Sequence, residues 1–302
     1  MAVISTNIAA MRAHNSSRIA DKTLANSMER LSTGKRINSA KDDAAGLALA
    51  SKLAARIAGV NQTVRNANDG ISAAQIGEGA MSEIANILTR LRELAVQSAS
   101  GTMSNTDRAN TVVLEATALT AQITNIAAQT EFNGVALLNG NTGAAGAGAA
   151  DGDRAMAIQT GLATGQTTTI TFKNMNLTPL TIQAATFTVG DSALNNDTPL
   201  AAGFNIGNAT LAQASLARID AAITYVASAR SSVGSVQAGL ETVVNNQTIN
   251  ALNTSEAKSR IEDADFSVES SRLASAQIIA QAATAMLAQA NQSQQGVLNL
   301  LR

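Results

Sequence analysis

Cysteine and tryptophan are absent from this chain of 302 residues, and histidine occurs once. Without thiols there is no disulfide framework, no thiolate metal site and no cysteine nucleophile. Aromatic residues make up 2 % of the sequence, so the interior cannot rely on large rings for buried area. Ala, Leu, Ile and Val must fill it instead, which favours slim helical bundles with closely spaced axes over one thick core. The two prolines, Pro179 and Pro199, both lie in the middle of the chain, and the long periodic stretches on either side have none. A formal net charge of −1 gives no support to a general affinity for nucleic acid. No stretch reaches the roughly 18 continuous apolar residues of a membrane span. The first twenty residues lack a basic segment followed by an unbroken apolar run, so any export is expected to proceed without a cleaved signal peptide.

What is present is helical periodicity. Residues 273–301 carry a seam at Leu273, Ala276, Ala280, Ala283, Leu287, Ala290, Gln294, Val297 and Leu301, in alternating steps of three and four and apolar at all but Gln294, with Ile279 and Met286 widening the stripe. No charged residue stands between Arg272 and Arg302, and Gln277, Gln281, Gln289, Asn291, Gln292 and Gln295 fill the other face. An ordinary surface helix places Lys and Glu there, and hydrocarbon would leave that many amides without partners. The pattern predicts a helix whose stripe and uncharged face both meet other protein. A second amphipathic helix is predicted from Ile4 to Ser32, with Ile8, Met11, Leu24, Met28 and Leu31 on one face and a basic excess from Arg12, Arg18, Lys22 and Arg30. Its natural partner is the uncharged terminal stripe.

Between these ends, Ser39 and Asp42 suggest a capping box for a long helix. Its seam is read as Leu47, Ala50, Ala54, Ile57, Asn61, Val64, Asn68 and Ile71, interrupted at Gly77 and Gly79 and resumed at Met81, Ile84, Leu88, Leu91 and Ala95. Ser104 and Asp107 introduce a third helix, expected to end near Gln129 and to fold back antiparallel. Residues 140–152 read as loop. Residues 155–161 and 166–172 are expected to form a β-hairpin, and 181–189 one more strand. From about Thr210 a helix returns with Leu216, Ile219, Ile223, Val226, Arg230, Val233, Gln237, Leu240, Val244 and Gln247 on its seam, broken at RIEDAD (260–265). The predicted fold is mostly α: a long antiparallel helical rod with paired terminal helices and a small β-hairpin region in the centre.

Several segments resemble bacterial flagellin: ERLSTGKRINSAKDDAAGLALASKL (29–53), RNANDGISAAQ (65–75), LRELAVQSAS (91–100), QTEFNG (129–134), SRIEDADF (259–266), and LAQANQ followed by VLNLLR up to residue 302. The resemblance covers residues 1–139 and 216–302. It implies a structural subunit that self-assembles into the flagellar filament, the helical propeller for swimming. The paired ends (1–42 and 259–302) would form the filament's inner core, the three-helix rod with its hairpin (43–176 and 207–258) the surrounding tube, and 177–206 a variable surface excursion. Inner-core assembly is then expected of Ile4, Ile8, Met11, Leu24, Met28, Leu31, Leu273, Ile279, Leu287, Val297 and Leu301. The implied partners are other copies of the chain, the flagellar export apparatus and an export chaperone, and the filament cap and hook-junction proteins. The implied location is extracellular. A hook–filament junction protein and a flagellin-like surface adhesin or receptor are the alternatives.

Nothing in the sequence assembles an active site, and neither cofactor nor metal is expected. His14 sits on a polar stretch. Asp42 and Asp43, and Glu262, Asp263 and Asp265, are placed to cap helices and oppose their dipoles. Gly77 and Gly79 follow no strand and form no phosphate loop. Arg90, Leu94 and Glu115 match a flagellin face that packs on the next subunit and is read by the vertebrate Toll-like flagellin receptor. Thr89 departs from the Gln of well-recognised members, so filament contact is the assignment and receptor recognition stays open.

Overall fold

The computed structural model describes residues 7–140, 153–175 and 206–299, most of them helical. The expected strand at 181–189 lies outside the described residues. The chain divides into two compact units, residues 1–58 with 251–302 and residues 59–250. Two helices, α2 (Ala44–Ala99) and α5 (Ala209–Glu262), contribute to both.

In the unit 59–250, three helical stretches share one core with a hairpin. On α2 a run of buried positions, Val60, Thr63, Ala67, Gly70, Ala74, Gly77, Met81, Ile84, Leu88, Leu91, Ala95 and Ser98, alternates continuously in steps of three and four, with Ala73, Ile87 and Leu94 buried beside it. The glycines therefore do not interrupt the helix, and Asn61 and Asn68 are exposed rather than on the seam. On α5, Ala222 and Ala229 are buried while Ile223 and Arg230 are half-covered flanks. Both departures have one cause. Small residues occupy the seam because they let neighbouring elements approach, and tracking the largest side chains shifts the register by one.

The hairpin explains the glycines. Strands β3 (Arg154–Gln159) and β4 (Thr167–Phe172) pair antiparallel, Ala155 opposite Thr171, much as the sequence predicts. Phe172 presses on Gly77, where a Cβ would stand 2.5 Å from the ring, and Ile158 presses on Gly70. A tighter hairpin, β1 (Glu131–Phe132) with β2 (Val135–Ala136), turns through Asn133 and Gly134 at φ 52° and 74°, the left-handed pair that a two-residue turn requires.

Between α2 and the hairpins the chain runs through a helical turn, α3 (Asn105–Asp107), a π-helical segment at Arg108–Val112 and α4 (Val113–Gln129). The Ser104 hydroxyl accepts the Asp107 amide at 3.1 Å, as expected of a cap. Arg108, only 4 % exposed, closes the corner. Its Nε donates to the Ser98 carbonyl at 2.8 Å, its guanidinium also reaches the Ser100 carbonyl, and Nη1 donates to Asn105 Oδ1 at 2.8 Å. A buried cation thus supplies donors to the last carbonyls of α2, which have no partner within the helix. Ion pairs Arg90–Glu115 and Arg92–Asp220 join α2 to α4 and α5 at 2.8 and 2.6 Å.

In the other unit, α1 (Ile8–Thr33) begins at the Asn7 cap and ends at Gly34 in the left-handed conformation. Helix α6 (Phe266–Asn299) packs along it. The linkers at their ends are laced together. The Arg36 amide donates to the Glu262 carbonyl at 2.6 Å, the Ala264 amide to the Gly34 carbonyl at 3.0 Å, and the Arg36 guanidinium to the Ile261 carbonyl at 2.7 Å. Lys35 Nζ lies 2.5 Å from the buried Glu262 carboxylate, with Lys258 at 3.4 Å. The capping box expected from Ser39 is replaced by a turn. Asp42 accepts the Asn38 and Ser39 amides there, and Asp43 caps α2 by accepting the Gly46 amide at 2.9 Å.

Two measurements test this packing. Gly77→Ala should destabilise the fold by about 1–3 kcal/mol because Phe172 must move. Gly79→Ala, two residues on and facing open space, should stabilise it by up to about 1 kcal/mol; equal denaturation midpoints for the two variants would contradict the hairpin's position. The laced linkers carry a pH signature. Hydrogen bonding from Lys35 holds the Glu262 carboxyl below its ordinary 4.5, and the Glu262 partner raises Lys35 above 10.5. A lowered acid contributes in full above its unfolded value and is lost as pH falls through the folded one; a raised base contributes below its unfolded value and is lost as pH rises. Protection of the Arg36 and Ala264 amides should therefore be level between about 4.5 and 10.5 and fall on the acid side. Glu262→Gln should flatten the acid limb.

Candidate assembly surface

The pair α1/α6 is antiparallel: the Asn7 side-chain amide donates to the Ala290 carbonyl at 3.3 Å, while Ser27 meets Glu269 near the other end. On α6 the covered positions are Leu273, Ala276, Ala280, Ala283, Leu287, Ala290 and Gln294, the stripe expected from spacing. On α1 they are Ala10, Ala13, Ser17, Ala20, Leu24, Ser27 and Leu31, again in steps of three and four. Apart from Glu269, alanine or serine fills every fully buried place in this seam on both helices. Small residues here bring the two backbones close.

The larger apolar residues face away from the seam. Ile8, Met11 and Met28 are 52 %, 68 % and 56 % exposed, and Ile279 and Met286 are 52 % and 64 % exposed. Among the residues expected to form the inner core, Leu24, Leu31, Leu273 and Leu287 are half-buried in the seam. Ile8, Met11, Met28 and Ile279 are exposed in the isolated chain. Ile4 and Leu301, and the side chain of Val297, lie outside the described residues. Spacing alone sets Ile279 and Met286 at the edge of the same stripe; in the structure they belong to a second one.

That second stripe has a shape. Along one flank of the pair, Ile8, Arg12, Ser16, Ile19 and Thr23 of α1 face Val268, Arg272, Ser275, Ile279, Ala282 and Met286 of α6 across an open groove. It comprises two cavities of about 770 and 490 Å³ that share Ser16 and Ile279. The α1 lining spans about 15 residues, or ~22 Å of helix, long enough to seat a partner helix of four turns. Exposed apolar surface of this kind is a candidate contact for another macromolecule. The opposite composition holds for Gln277, Gln281, Gln289, Asn291, Gln292 and Gln295, all exposed and uncharged.

One polar cluster interrupts the small-residue seam. Ser27, 1 % exposed, donates to Glu269 Oε1 at 2.6 Å, and Arg30 and Arg272 flank Glu269 at 3.8 and 3.4 Å. A single buried polar contact in a coil fixes register, because any slip strands a carboxylate without its donors. Spacing alone does not reveal this residue, since Glu269 reads as a first-turn dipole partner.

In the other unit, Arg90 Nε donates to Glu115 and Nη1 to Glu93, each at 2.8 Å, and these acceptors raise its pKa. Leu94 is turned inward at 1 % exposure, which leaves the Arg90–Glu115 pair as the exposed part of that trio. Among the described residues, no cluster of His, Asp and Glu is arranged to hold a metal ion, and no helix is long and apolar enough to cross a membrane.

Comparison with known proteins decides the family. Residues 4–142 match the bacterial flagellin N-terminal helical region, and residues 216–301 match the bacterial flagellin C-terminal helical region. The chain belongs to the bacterial flagellin family. Among its relatives, a flagellin of Xenorhabdus nematophila is 39 % identical over 99 % of both chains. A flagellin of Bacillus subtilis (strain 168) is 38 % identical, again over 99 % of both. The flagellar filament 33 kDa core protein of Treponema phagedenis is 37 % identical over 99 % of this chain and all of its own. The chain is accordingly a structural subunit of the extracellular flagellar filament, a homopolymer of a non-enzymatic family. Neither the junction-protein nor the adhesin alternative is favoured.

The register contact gives a direct test. Glu269→Ala should destabilise the α1/α6 pair by about 1–3 kcal/mol, read as faster amide exchange in α1 and α6 with exchange in residues 59–250 unchanged. Equal exchange in both units would deny Glu269 that role.

Proposed function

We propose that the α1/α6 pair is the surface through which copies of the chain join, its groove receiving a helix from a neighbouring copy. The observation that supports this is the outward stripe of Ile8, Ile19, Ile279 and Met286 beside a seam already closed by alanine. Covering such side chains is worth about 1.5–3 kcal/mol each, and a polymer repeats the contact at every subunit. In this reading residues 1–42 and 259–302 build the inner core of the filament, with Leu24, Leu31, Leu273 and Leu287 holding the pair. Ile8, Met11, Met28 and Ile279 meet neighbours, and Ile4, Val297 and Leu301 continue the two helices' stripes in sequence. Residues 43–176 and 207–258 form the tube around it, with 177–206 as a surface excursion. The Arg90–Glu115 pair is a further subunit contact. The uncharged amides of α6 line the channel through which an unfolded chain passes to the growing tip. Delivery runs through the flagellar export apparatus, with an export chaperone before it and the cap and hook-junction proteins at the filament's ends. The chain performs no catalysis.

Deletion of residues 287–302 should abolish polymerisation while circular dichroism still reports a helical rod; persistent filaments would refute the assembly reading. Charges at the amide face, Gln281→Glu with Gln289→Glu, should shorten filaments if those residues line the channel. Unchanged filament length would remove that assignment.

A further inference from the structure

The methionines are sorted by exposure. Among the described residues, Met81 and Met175 are fully buried, and Met103 and Met156 are half-buried, all in the unit 59–250. Met11, Met28 and Met286 are more than half exposed, all on the α1/α6 pair. Of these, Met286 lines the groove, among Ile8, Ala9, Ala13, Ile279, Ala282 and Ala283. Only Arg12 and Ser16 bring polar side chains to that stretch, and both are exposed.

We propose that Met286 is an oxidation site that decides whether a subunit can enter the polymer, an inference that rests on the assembly reading above. The oxidant is a peroxide. One oxygen of hydrogen peroxide is transferred to the Met286 thioether as the O–O bond breaks; the sulfur loses two electrons and the other oxygen leaves as water. The product is a sulfoxide, a strong hydrogen-bond acceptor on what was an apolar side chain. In the free subunit water satisfies it. Beneath a neighbour's helix it would sit among Ile and Ala side chains, with Arg12 and Ser16 the only donors lining that stretch, and an acceptor buried beyond their reach opposes the contact. The modification is reversible by methionine sulfoxide reductases, so an oxidised subunit regains its competence wherever a reductase reaches it. Once assembled, the groove is covered and the same sulfur is shielded.

The test uses the full chain and needs no variant. Monomer is oxidised to partial completion with dilute hydrogen peroxide, allowed to polymerise and sedimented, and the methionine-containing peptides of pellet and supernatant are weighed by mass spectrometry. Met286 sulfoxide should form at least about tenfold faster than Met81 or Met175 sulfoxide. It should be depleted severalfold in the pellet, and reductase treatment of the supernatant should return that protein to the pellet. Equal Met286 sulfoxide fractions in pellet and supernatant would overturn the proposal and leave the assembly reading intact. So would a supernatant that stays soluble after Met286 has been reduced. If untreated protein forms no pellet at all, the assembly reading fails and this inference fails with it.

Discussion

Small side chains at regularly spaced seam positions are the constraint on which this structure depends. A chain with almost no aromatic residues cannot gain its buried area from a few large groups, so it must bring backbones close over long distances. Ala13, Ala20 and Ser27 opposite Ala276, Ala283 and Ala290 do this in the terminal pair. Ala67, Gly70, Ala74 and Gly77 do it on α2, where hairpin side chains press directly onto the helix. Close packing of this kind is sensitive to single methylene groups, which ties each helix to one register.

The same constraint explains why the larger residues of α1 and α6 point outward. A seam filled by alanine leaves no intramolecular place for Ile8, Ile19, Ile279 and Met286, so the isolated pair presents two faces with different fates. One is closed by its own partner. The other carries an apolar groove, and in the assembly proposed above a further copy of the chain buries it. On that reading, stability of this unit and assembly of the filament are one physical question.

Much of the architecture is legible in the sequence because heptad spacing survives in it. The α6 stripe, the Met81–Ala95 part of α2, the cap at Ser104 and the β3/β4 hairpin all follow from period and local propensity. Where the reading slips, alanine or glycine occupies the decisive position. Ala222 was passed over for Ile223, and Ala13 and Ala20 for Ile8 and Met11, because a pattern of large apolar residues does not distinguish an internal seam from an external stripe. Gly77 looks like a breaker until Phe172 is placed on it. Arg108 and Glu269 were missed for another reason: their roles depend on which carbonyls and hydroxyls the tertiary fold brings to them, and neither partner is encoded by local spacing. Asp43 took the cap expected one turn earlier because Asp42 was already engaged by the Asn38 and Ser39 amides.

The contact between Asn7 and Ala290 joins residues 283 positions apart, nearly the whole chain. Closing a loop of that size costs conformational entropy that grows with the logarithm of its length, about 0.6 kcal/mol for each doubling. When α2 and α5 pair through Arg92–Asp220 and their shared core, most of that loop is already closed before the ends must meet. Loop-closure entropy therefore favours an order in which the middle of the chain condenses before its two extremities meet. The groove between α1 and α6 is built from both extremities, so it is the last surface to be completed, and a chain whose middle alone has folded presents no such groove to its surroundings.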